Sequence, residues 1–442
     1  MWPNKALLNS TFWRTDLLLW VALGFIHVSP ALASICLGLF VIQLLFLGDR
    51  VAMSFVQRVS LSLMALSLLW NVLSLMDVYG GYITHGLNSH DFMADLSLSD
   101  LQKLALTKLQ VKLPLLVVLT LYATGKRLST VLYRFWPLVV LPVFWISVSS
   151  VIHYLQHRTF YDQMVLESKP IPLYSGVYHI EYAVLVGCVV LLMAKGLLRG
   201  VVEGQASKRL LVVALAVLII CMHVLGARTG LIFLYVGGAM MLFDVARRHR
   251  QWLLRGGLVL ALLMGVLSML PSVQNRVTNT VTDLNTTFQG GDVTHQSFGQ
   301  RWVAWTVAWA TITESNSAWK GFGAGVDVVM KAQYERKGVA LAERHRIGVH
   351  NQWLEGALQS GWMSFVLLLV AGFFALGDGR NGDRTMEVAL WLAVVVAMMF
   401  ESLMERQAGI LVLIVLFQGA MAKKNGIYSE IKTEDALIDK IK

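Results

Sequence analysis

Two arginines in the sequence have positions that favour the binding of an anion. Arg228 lies between two apolar runs, where a permanent positive charge is costly unless it is paired. A guanidinium group presents a planar fork of donors that matches phosphate, so we interpret Arg228 as a phosphate-binding residue. The alternative for Arg228 is a topological charge that reaches the membrane surface. Arg301 is a second candidate, and its alternative is an ordinary surface arginine.

A histidine at the start of a later apolar run has the chemistry of a general base. His350 and Asn351 open the stretch HNQWLEG, and a neutral imidazole takes up the proton of an attacking hydroxyl. The positive end of a helix dipole would favour that neutral form. The alternative is that Asn351 caps the helix and that His350 is an incidental neighbour. Two arginines on the same predicted face of the membrane strengthen the catalytic interpretation.

Further polar residues near these positions are candidates for supporting roles. Glu355 lies one helical turn inside the same apolar run and could orient His350 or pair with an arginine. Glu405 and Arg406 precede the last predicted span and could pair with each other. The full set of supporting candidates is Asn351, Glu355, Arg344, Arg346, Glu405, Arg406 and His179. Each also has a plain structural interpretation as a solvated loop residue, a surface ion pair or an interfacial residue.

Composition indicates that these residues belong to a membrane protein. The chain has 442 residues, of which 56% are hydrophobic and only 14% are charged, and its mean hydropathy is +0.61. A soluble domain usually carries about a quarter charged residues, so this chain lacks the polar surface of such a domain. Apolar runs of about 20 residues recur along it. They predict an all-α, polytopic membrane protein of about twelve transmembrane helices, with a long periplasmic loop containing short helices.

The basic residues predict the orientation of these spans. An even number of spans places both termini on one side, and clusters of lysine and arginine fall between spans on that side, which the positive-inside rule makes cytoplasmic. We predict about nine N-terminal spans in residues 1–270, a periplasmic loop in 271–351, about three C-terminal spans in 352–422 and a cytoplasmic tail in 423–442. Arg228 then lies on the face where topology requires no positive charge, which favours a functional role.

The predicted periplasmic loop contains a stretch rich in tryptophan. Trp302, Trp305 and Trp309 recur at helical spacing after Arg301, in a segment too short and too rich in threonine to span a membrane. A helix lying in the membrane interface and a helix packed against the bundle both agree with this pattern. Both interpretations put Arg301 at the membrane surface. A glycine-rich stretch at 321–325 predicts a tight turn, since no strand precedes it as a nucleotide-binding loop would require.

The sequence gives no sign of a metal site, a cofactor or nucleic-acid binding. The net charge is +10, but the basic residues form separate clusters between apolar runs and no continuous stripe. The 3 cysteines lie singly in apolar runs, and no pair of them has metal-ligand spacing. We therefore expect any reaction to need neither metal nor cofactor, with arginines offsetting the charge of a leaving phosphate.

Several short motifs together resemble those of a known family. They are ARTGL around Arg228, GQRWVAW around Arg301, the glycine turn at 321–323, HNQWLEGALQSGW from His350, and ERQAG at 405–409. In this order they resemble the O-antigen ligase and polymerase superfamily, over roughly residues 210–420. The resemblance implies a GT-C-like membrane glycosyltransferase of the bacterial inner membrane.

The resemblance also implies substrates and residue roles. The donor would be a glycan on undecaprenyl diphosphate at the periplasmic face, with Arg228 and Arg301 holding the diphosphate. His350 would activate the acceptor hydroxyl, and the anomeric carbon would be attacked with inversion and without a metal. Arg344 and Arg346 make the segment before His350 more basic than in the family pattern. Either of them is therefore an alternative to Arg228 and Arg301 as a phosphate ligand. The acceptor is lipid A-core in ligases, which we slightly favour, a second lipid-linked glycan in polymerases, and a protein hydroxyl in other members.

Two other classes of protein agree with part of the pattern. A transporter of polysaccharides or other anions would suit about twelve spans, but transporters usually have internal repeats and charges near the membrane midplane. A non-catalytic envelope protein would not need two arginines and a histidine. The discriminating observation is whether Arg228, Arg301 and His350 converge on one cavity in the folded chain.

Overall fold

A computed structural model shows that the chain is helical throughout the part that it describes. The described residues are 55–76, 98–112, 129–166, 169–175, 177–198, 205–248, 265–314, 319, 321–339, 341, 346–377, 384–406 and 408–413 except 411, with single positions in 32–42 and 257–262. These residues contain no β-strand, which confirms the all-α prediction for this part of the chain.

The α-helices of the described residues are numbered here in chain order. They are α1 (Phe55–Met76), α2 (Leu98–Lys112), α3 (Ser129–Gln156), α4 (Arg158–Leu166), α5 (His179–Leu198), α6 (Gln205–Leu225), α7 (Arg228–Arg248), α8 (Pro271–Phe288), α9 (Ser297–Glu314), α10 (Val326–Arg336), α11 (Gln352–Gly377) and α12 (Arg384–Ala397). Two 3-10 turns lie at Gly323–Gly325 and Leu403–Glu405.

Three of the described helices, α5, α6 and α7, are long and apolar enough to cross a membrane. Most of α5 is buried in the bundle, whereas most of α6 and α7 is not. Leu210 and Val213 on α6 are exposed, as expected for side chains that face lipid. The chain is therefore a membrane protein. The count of about twelve spans stays a prediction, because those predicted to begin near residues 17, 113 and 253 lie wholly or largely outside the described residues.

Helices α5, α7 and α12 form one packed layer at the centre of the bundle. Small residues bring α5 and α7 together, since a Cβ atom on Gly230 would lie 2.5 Å from the Cβ of Ala183 and 2.9 Å from its carbonyl oxygen. Leu185, Phe233 and Leu390 contribute buried side chains from the three helices to the same apolar core. This layer fixes the start of α7, where Arg228 lies.

A second apolar core joins α9, α10 and the start of α11. Ala304, Ala308 and Ile312 supply the buried face of α9. Trp302 and Trp309 are exposed. The tryptophan-rich helix therefore packs against the bundle along one face and leaves two of its aromatic rings free of the core.

Helix α11 is broken at Gly361, whose φ of 75° lies in the left-handed region that favours glycine. Against this break packs the glycine turn, where a Cβ atom on Gly321 would lie 2.5 Å from the carbonyl carbon of Gln359. The Phe322 amide donates a hydrogen bond of 2.5 Å to the carbonyl oxygen of Leu358. The tight turn predicted at 321–325 is confirmed, and it anchors the first half of α11, which begins two residues after His350.

The packing of α5 on α7 generates a prediction about two glycines of one helix. Gly230→Ala should lower stability by about 1–3 kcal/mol, because the added methyl group collides with Ala183. Gly238→Ala is the matched control, since its Cβ would meet nothing within 4 Å, and alanine favours a helix more than glycine does. Thermal unfolding of both variants in detergent measures the effect. Equal melting temperatures for the two variants would contradict this packing.

Candidate functional site

One carboxylate joins the predicted base to one of the predicted anion-binding arginines. Glu401 Oε1 lies 2.8 Å from Nδ1 of His350, and Glu401 Oε2 lies 3.4 Å from Nη2 of Arg301. The Glu401 side chain is only 3% exposed, so both contacts are made away from bulk water. A carboxylate accepts hydrogen bonds, so His350 presents an Nδ1–H here and keeps Nε2 as its acceptor.

Backbone contacts hold the segment of His350 against the segment of Glu401. The Gln352 amide donates to the carbonyl oxygen of Met398 at 2.8 Å, and the Gln352 side-chain oxygen accepts the Met404 amide at 2.6 Å. Two segments that are about 50 residues apart in sequence are thus joined by hydrogen bonds close to the contact between His350 and Glu401. The start of α11 and the turn after α12 form one unit.

Helix α9 is fixed to the same unit. Trp305, one turn after Arg301, donates its indole N–H to the carbonyl oxygen of Val349 at 2.9 Å. Val349 directly precedes His350, so the helix that carries the arginine and the segment that carries the histidine are held in register. The tryptophan pattern seen in the sequence therefore has a positioning role at one of its members.

His350 has an unusual backbone conformation. Its φ is +45°, and it is the only residue other than glycine with positive φ in the described part of the chain. Such a conformation costs about 1–3 kcal/mol outside glycine, and it persists where surrounding contacts impose it. The hydrogen bonds of Gln352 and the hydrogen bond between His350 and Glu401 are those contacts.

A second buried carboxylate holds Arg228. Asp283, on α8, is fully buried and lies 3.1 Å from Nη1 of Arg228. The same carboxylate accepts the backbone amides of Phe298 at 2.8 Å and Gly299 at 3.0 Å, which are free donors in the first turn of α9. Asp283 thus caps the helix that carries Arg301 and at the same time orients Arg228.

The two predicted arginines line one cavity of about 90 Å³. His179, Ser297 and a third arginine, Arg276, line it as well. His350 is not among its lining residues and joins the site through Glu401. The structure therefore brings the two arginines to one cavity and links the histidine to one of them, Arg301, through the carboxylate of Glu401.

The ionic state of the site follows from burial and from neighbouring charges. Burial lowers the pKa of Arg301, Glu401 raises it, and the charge of Arg228 lowers it further, because two guanidinium groups close together repel. Burial alone would raise the pKa of Glu401. The hydrogen bond to His350 and the charges of His350 and Arg301 outweigh burial and hold that pKa below its ordinary value.

Two supporting candidates lie beside the site. His179 lines the cavity. Asn351 caps α11, since its side-chain oxygen accepts the amides of Trp353 at 2.9 Å and Leu354 at 3.2 Å. The capping interpretation of Asn351 is therefore confirmed, and the cap fixes the helix directly after His350.

Two acidic candidates belong to a separate buried cluster with lysines of α2. Lys108 lies 3.8 Å from Glu355, and Lys112 lies 2.5 Å from Glu405. Glu355 thus pairs with a lysine, whereas the sequence suggested contact with His350 or an arginine. The suggested pairing of Glu405 with its neighbour Arg406 is wrong, because α2 packs on the 3-10 turn and brings Lys112 to the carboxylate.

The described members of the remaining basic candidates contact residues other than His350 and the two predicted arginines. Arg406 has an extended backbone, which turns successive side chains to opposite sides, and its Nε lies 3.2 Å from Glu181 on α5. Arg346 donates to the carbonyl oxygen of Leu341 at 3.1 Å and lies 3.5 Å from Glu335. Arg344 lies outside the described residues. In the described residues no group of three or more histidine, cysteine or acidic side chains could hold a metal, and metal independence stays a prediction.

Sequence reasoning missed the two acids that organise the site. Glu401 lies at the end of an apolar run and Asp283 in a polar stretch, and neither has a motif of its own. The available signal was the cost of a buried arginine, which demands an acidic partner. That demand predicts that partners exist, but their positions 55 and 100 residues away from the arginines follow only from the fold.

The depressed pKa of Glu401 generates a prediction about acid stability. The folded protein binds this proton less tightly than the unfolded chain, whose carboxyl titrates near 4.5. The stability from Glu401 is therefore present above that pH and is lost as the pH falls through the lower folded value. We expect the melting temperature in detergent to fall more steeply below about pH 5 in the wild type than in Glu401→Gln.

The exposed carboxylate of Glu335 provides a control for this measurement, since Glu335→Gln should retain the pH dependence of the wild type. Identical acid profiles for the wild type and Glu401→Gln would show that the carboxylate is not held ionised by His350 and Arg301.

Comparison with known proteins agrees with the motifs. Residues 211–369 match the family model Wzy_C, described as O-antigen ligase. The match contains Arg228, Arg301 and His350, and it ends before Glu401. None of the curated proteins matches the chain. Over these residues the chain is similar to the O-antigen ligase family.

Proposed function

We propose that this protein transfers a glycan from undecaprenyl diphosphate to an acceptor hydroxyl at the periplasmic face of the bacterial inner membrane. The O-antigen ligase region supports glycosyl transfer of the ligase or polymerase type in general. The apolar helices supply the membrane setting that a lipid-linked donor requires. The donor, the acceptor and the reacting face are the specific parts of the proposal.

The observation that carries the proposal is the single carboxylate between a guanidinium and an imidazole. Glu401 contacts Arg301 with one oxygen and His350 with the other. A transfer from a diphosphate needs an anion-binding group and a base within the length of one substrate. Arg228 extends the anion-binding part, because it lines the same cavity as Arg301.

In the proposed reaction, Nε2 of His350 takes the proton of the acceptor hydroxyl. The hydroxyl oxygen forms a bond to the anomeric carbon while the bond from that carbon to the diphosphate oxygen breaks. Undecaprenyl diphosphate leaves with the electron pair, and Arg228 and Arg301 stabilise its charge. Attack opposite to the leaving group inverts the anomeric centre. Glu401 stabilises the imidazolium and fixes the tautomer that has a free Nε2.

The acceptor that we propose is lipid A-core, which makes the protein an O-antigen ligase. Polymerisation of lipid-linked repeat units is the alternative within the same chemistry, and transfer to a protein hydroxyl is a further one. All three reactions need the same arginines and the same base, so the acceptor must be tested directly.

Loss of the base or of one anion-binding group should abolish transfer. We expect His350→Ala and Arg228→Ala to lower the rate of glycan transfer by at least about 100-fold while expression and membrane insertion stay intact. Arg346→Gln is the matched control, because this arginine contacts Glu335 and Leu341 away from the cavity, and it should retain activity. Surface glycan that persists unchanged in both active-site variants would show that the assignment is wrong.

The choice of acceptor can be tested with purified components. The protein is reconstituted with an undecaprenyl-diphosphate glycan and is given either lipid A-core or further donor alone. A ligase forms glycosylated lipid A-core and leaves the donor unpolymerised. Chain extension of the donor in the absence of lipid A-core would identify a polymerase, and absence of both products with an inserted, folded protein would argue against either assignment.

A further inference from the structure

A third arginine lies in the cavity and has no counterpart in the sequence motifs. Arg276 lies on α8, and it lines the cavity together with Arg228 and Arg301. Its Nη2 donates to the carbonyl oxygen of Leu225 at 2.9 Å. This bond fixes the guanidinium at the end of α6, directly before the loop that leads to Arg228.

Gly226 makes room for this side chain. Its φ is +60°, and a Cβ atom at this position would overlap with Nε and Cδ of Arg276. The glycine is therefore required both by the backbone conformation and by the close approach of the arginine. The loop between α6 and α7 is built to admit a guanidinium group.

The charge of Arg276 is not offset as the charges of the other two arginines are. Arg228 contacts Asp283 and Arg301 contacts Glu401, whereas no carboxylate pairs with Arg276 in the described part of the chain. The Nε of Arg276 is buried without a hydrogen-bond partner there. Burial, followed by the repulsion of Arg228, lowers the pKa of Arg276 to about 10.

An uncompensated buried guanidinium is costly, and a bound anion would remove that cost. The two carboxylates already offset much of the charge of Arg228 and Arg301. A diphosphate group spreads its charge over two phosphates and presents more acceptor oxygens than a monophosphate, so a site selective for it gains from a further guanidinium donor. Among the described arginines that line this cavity, Arg276 is the one whose charge no carboxylate offsets.

We propose that Arg276 binds the diphosphate of the lipid-linked donor and makes the cavity selective for a diphosphate over a monophosphate. This inference rests on the proposed function, in which that diphosphate occupies the cavity. Gly226 is the positioning residue, because it allows the guanidinium to approach. Arg276 thereby distinguishes the donor and the diphosphate product from undecaprenyl monophosphate in the same membrane.

The test compares two lipids and four proteins. Binding of undecaprenyl diphosphate and of undecaprenyl monophosphate is measured in nanodiscs for the wild type, Arg276→Gln, Arg228→Ala and Arg301→Ala. Glutamine removes the positive charge and keeps an amide donor close to the position of the Nε of arginine. We expect Arg276→Gln to weaken diphosphate binding roughly tenfold and monophosphate binding much less.

Gly226→Ala provides an independent variant that displaces the guanidinium without removing it. It should weaken diphosphate binding in the wild-type background and have little further effect in Arg276→Gln, since both changes remove the same contact. Additive losses in the double variant would contradict the positioning role of Gly226.

Three outcomes overturn the inference and separate its failure from that of the proposed function. If Arg276→Gln binds both lipids equally more weakly and also has a lower melting temperature, Arg276 has only a structural role. If Arg228→Ala and Arg301→Ala lose binding while Arg276→Gln keeps the selectivity of the wild type, the inference about Arg276 is wrong and the proposed function is retained. Unchanged binding in all three arginine variants would remove both proposals.

Discussion

The carboxylate of Glu401 is the point at which three separate segments of the chain meet. Its oxygens contact a guanidinium on α9 and an imidazole before α11, while the residue itself follows α12. A nearly buried carboxylate loses several kcal/mol of hydration, which is recovered only if both oxygens have good partners. The cost of burying this charge therefore forces α9, the start of α11 and the turn after α12 into one arrangement.

Asp283 acts by the same principle on the other side of the cavity. It is fully buried, and it receives Arg228 together with the free amides at the start of α9. One end of α9 is thus tied to the membrane helix α7 by Asp283, and a later turn is tied to the His350 segment by Trp305. Asp283 and Glu401 therefore each join at least two elements of the fold beside the cavity.

The elements that support the site extend beyond the region that matches the family. Residues 211–369 contain both predicted arginines and the histidine, whereas Glu401 and the α2 lysines lie outside. Lys112 contacts Glu405, whose 3-10 turn follows closely after Glu401. Gln352 accepts the Met404 amide in the same turn. The N-terminal part of the chain therefore takes part in placing the carboxylate that orients the proposed base.

Part of this arrangement was predictable because its signals are local. Hydrophobic composition predicts a helical membrane protein, and a charge at the edge of an apolar run predicts that Arg228 needs a partner and is a candidate for a functional role. The glycine turn and the Asn351 cap were predictable for the same reason. Helix α8 was less predictable from its sequence, which is rich in threonine and asparagine, because its buried face depends on packing against α4 and α9.

The sequence by itself determined that the chain is a helical membrane protein, and it predicted the region of the site with two arginines and one histidine, since these inferences depend on residue type and on neighbours within a few positions. Tertiary structure decided which acids pair with them, that Arg276 shares their cavity, and that Glu405 and Arg406 turn to different partners. Those pairings join residues far apart in the chain. The cost of leaving a charge unpaired makes partners necessary, but only the packing of helices determines which partners come within reach.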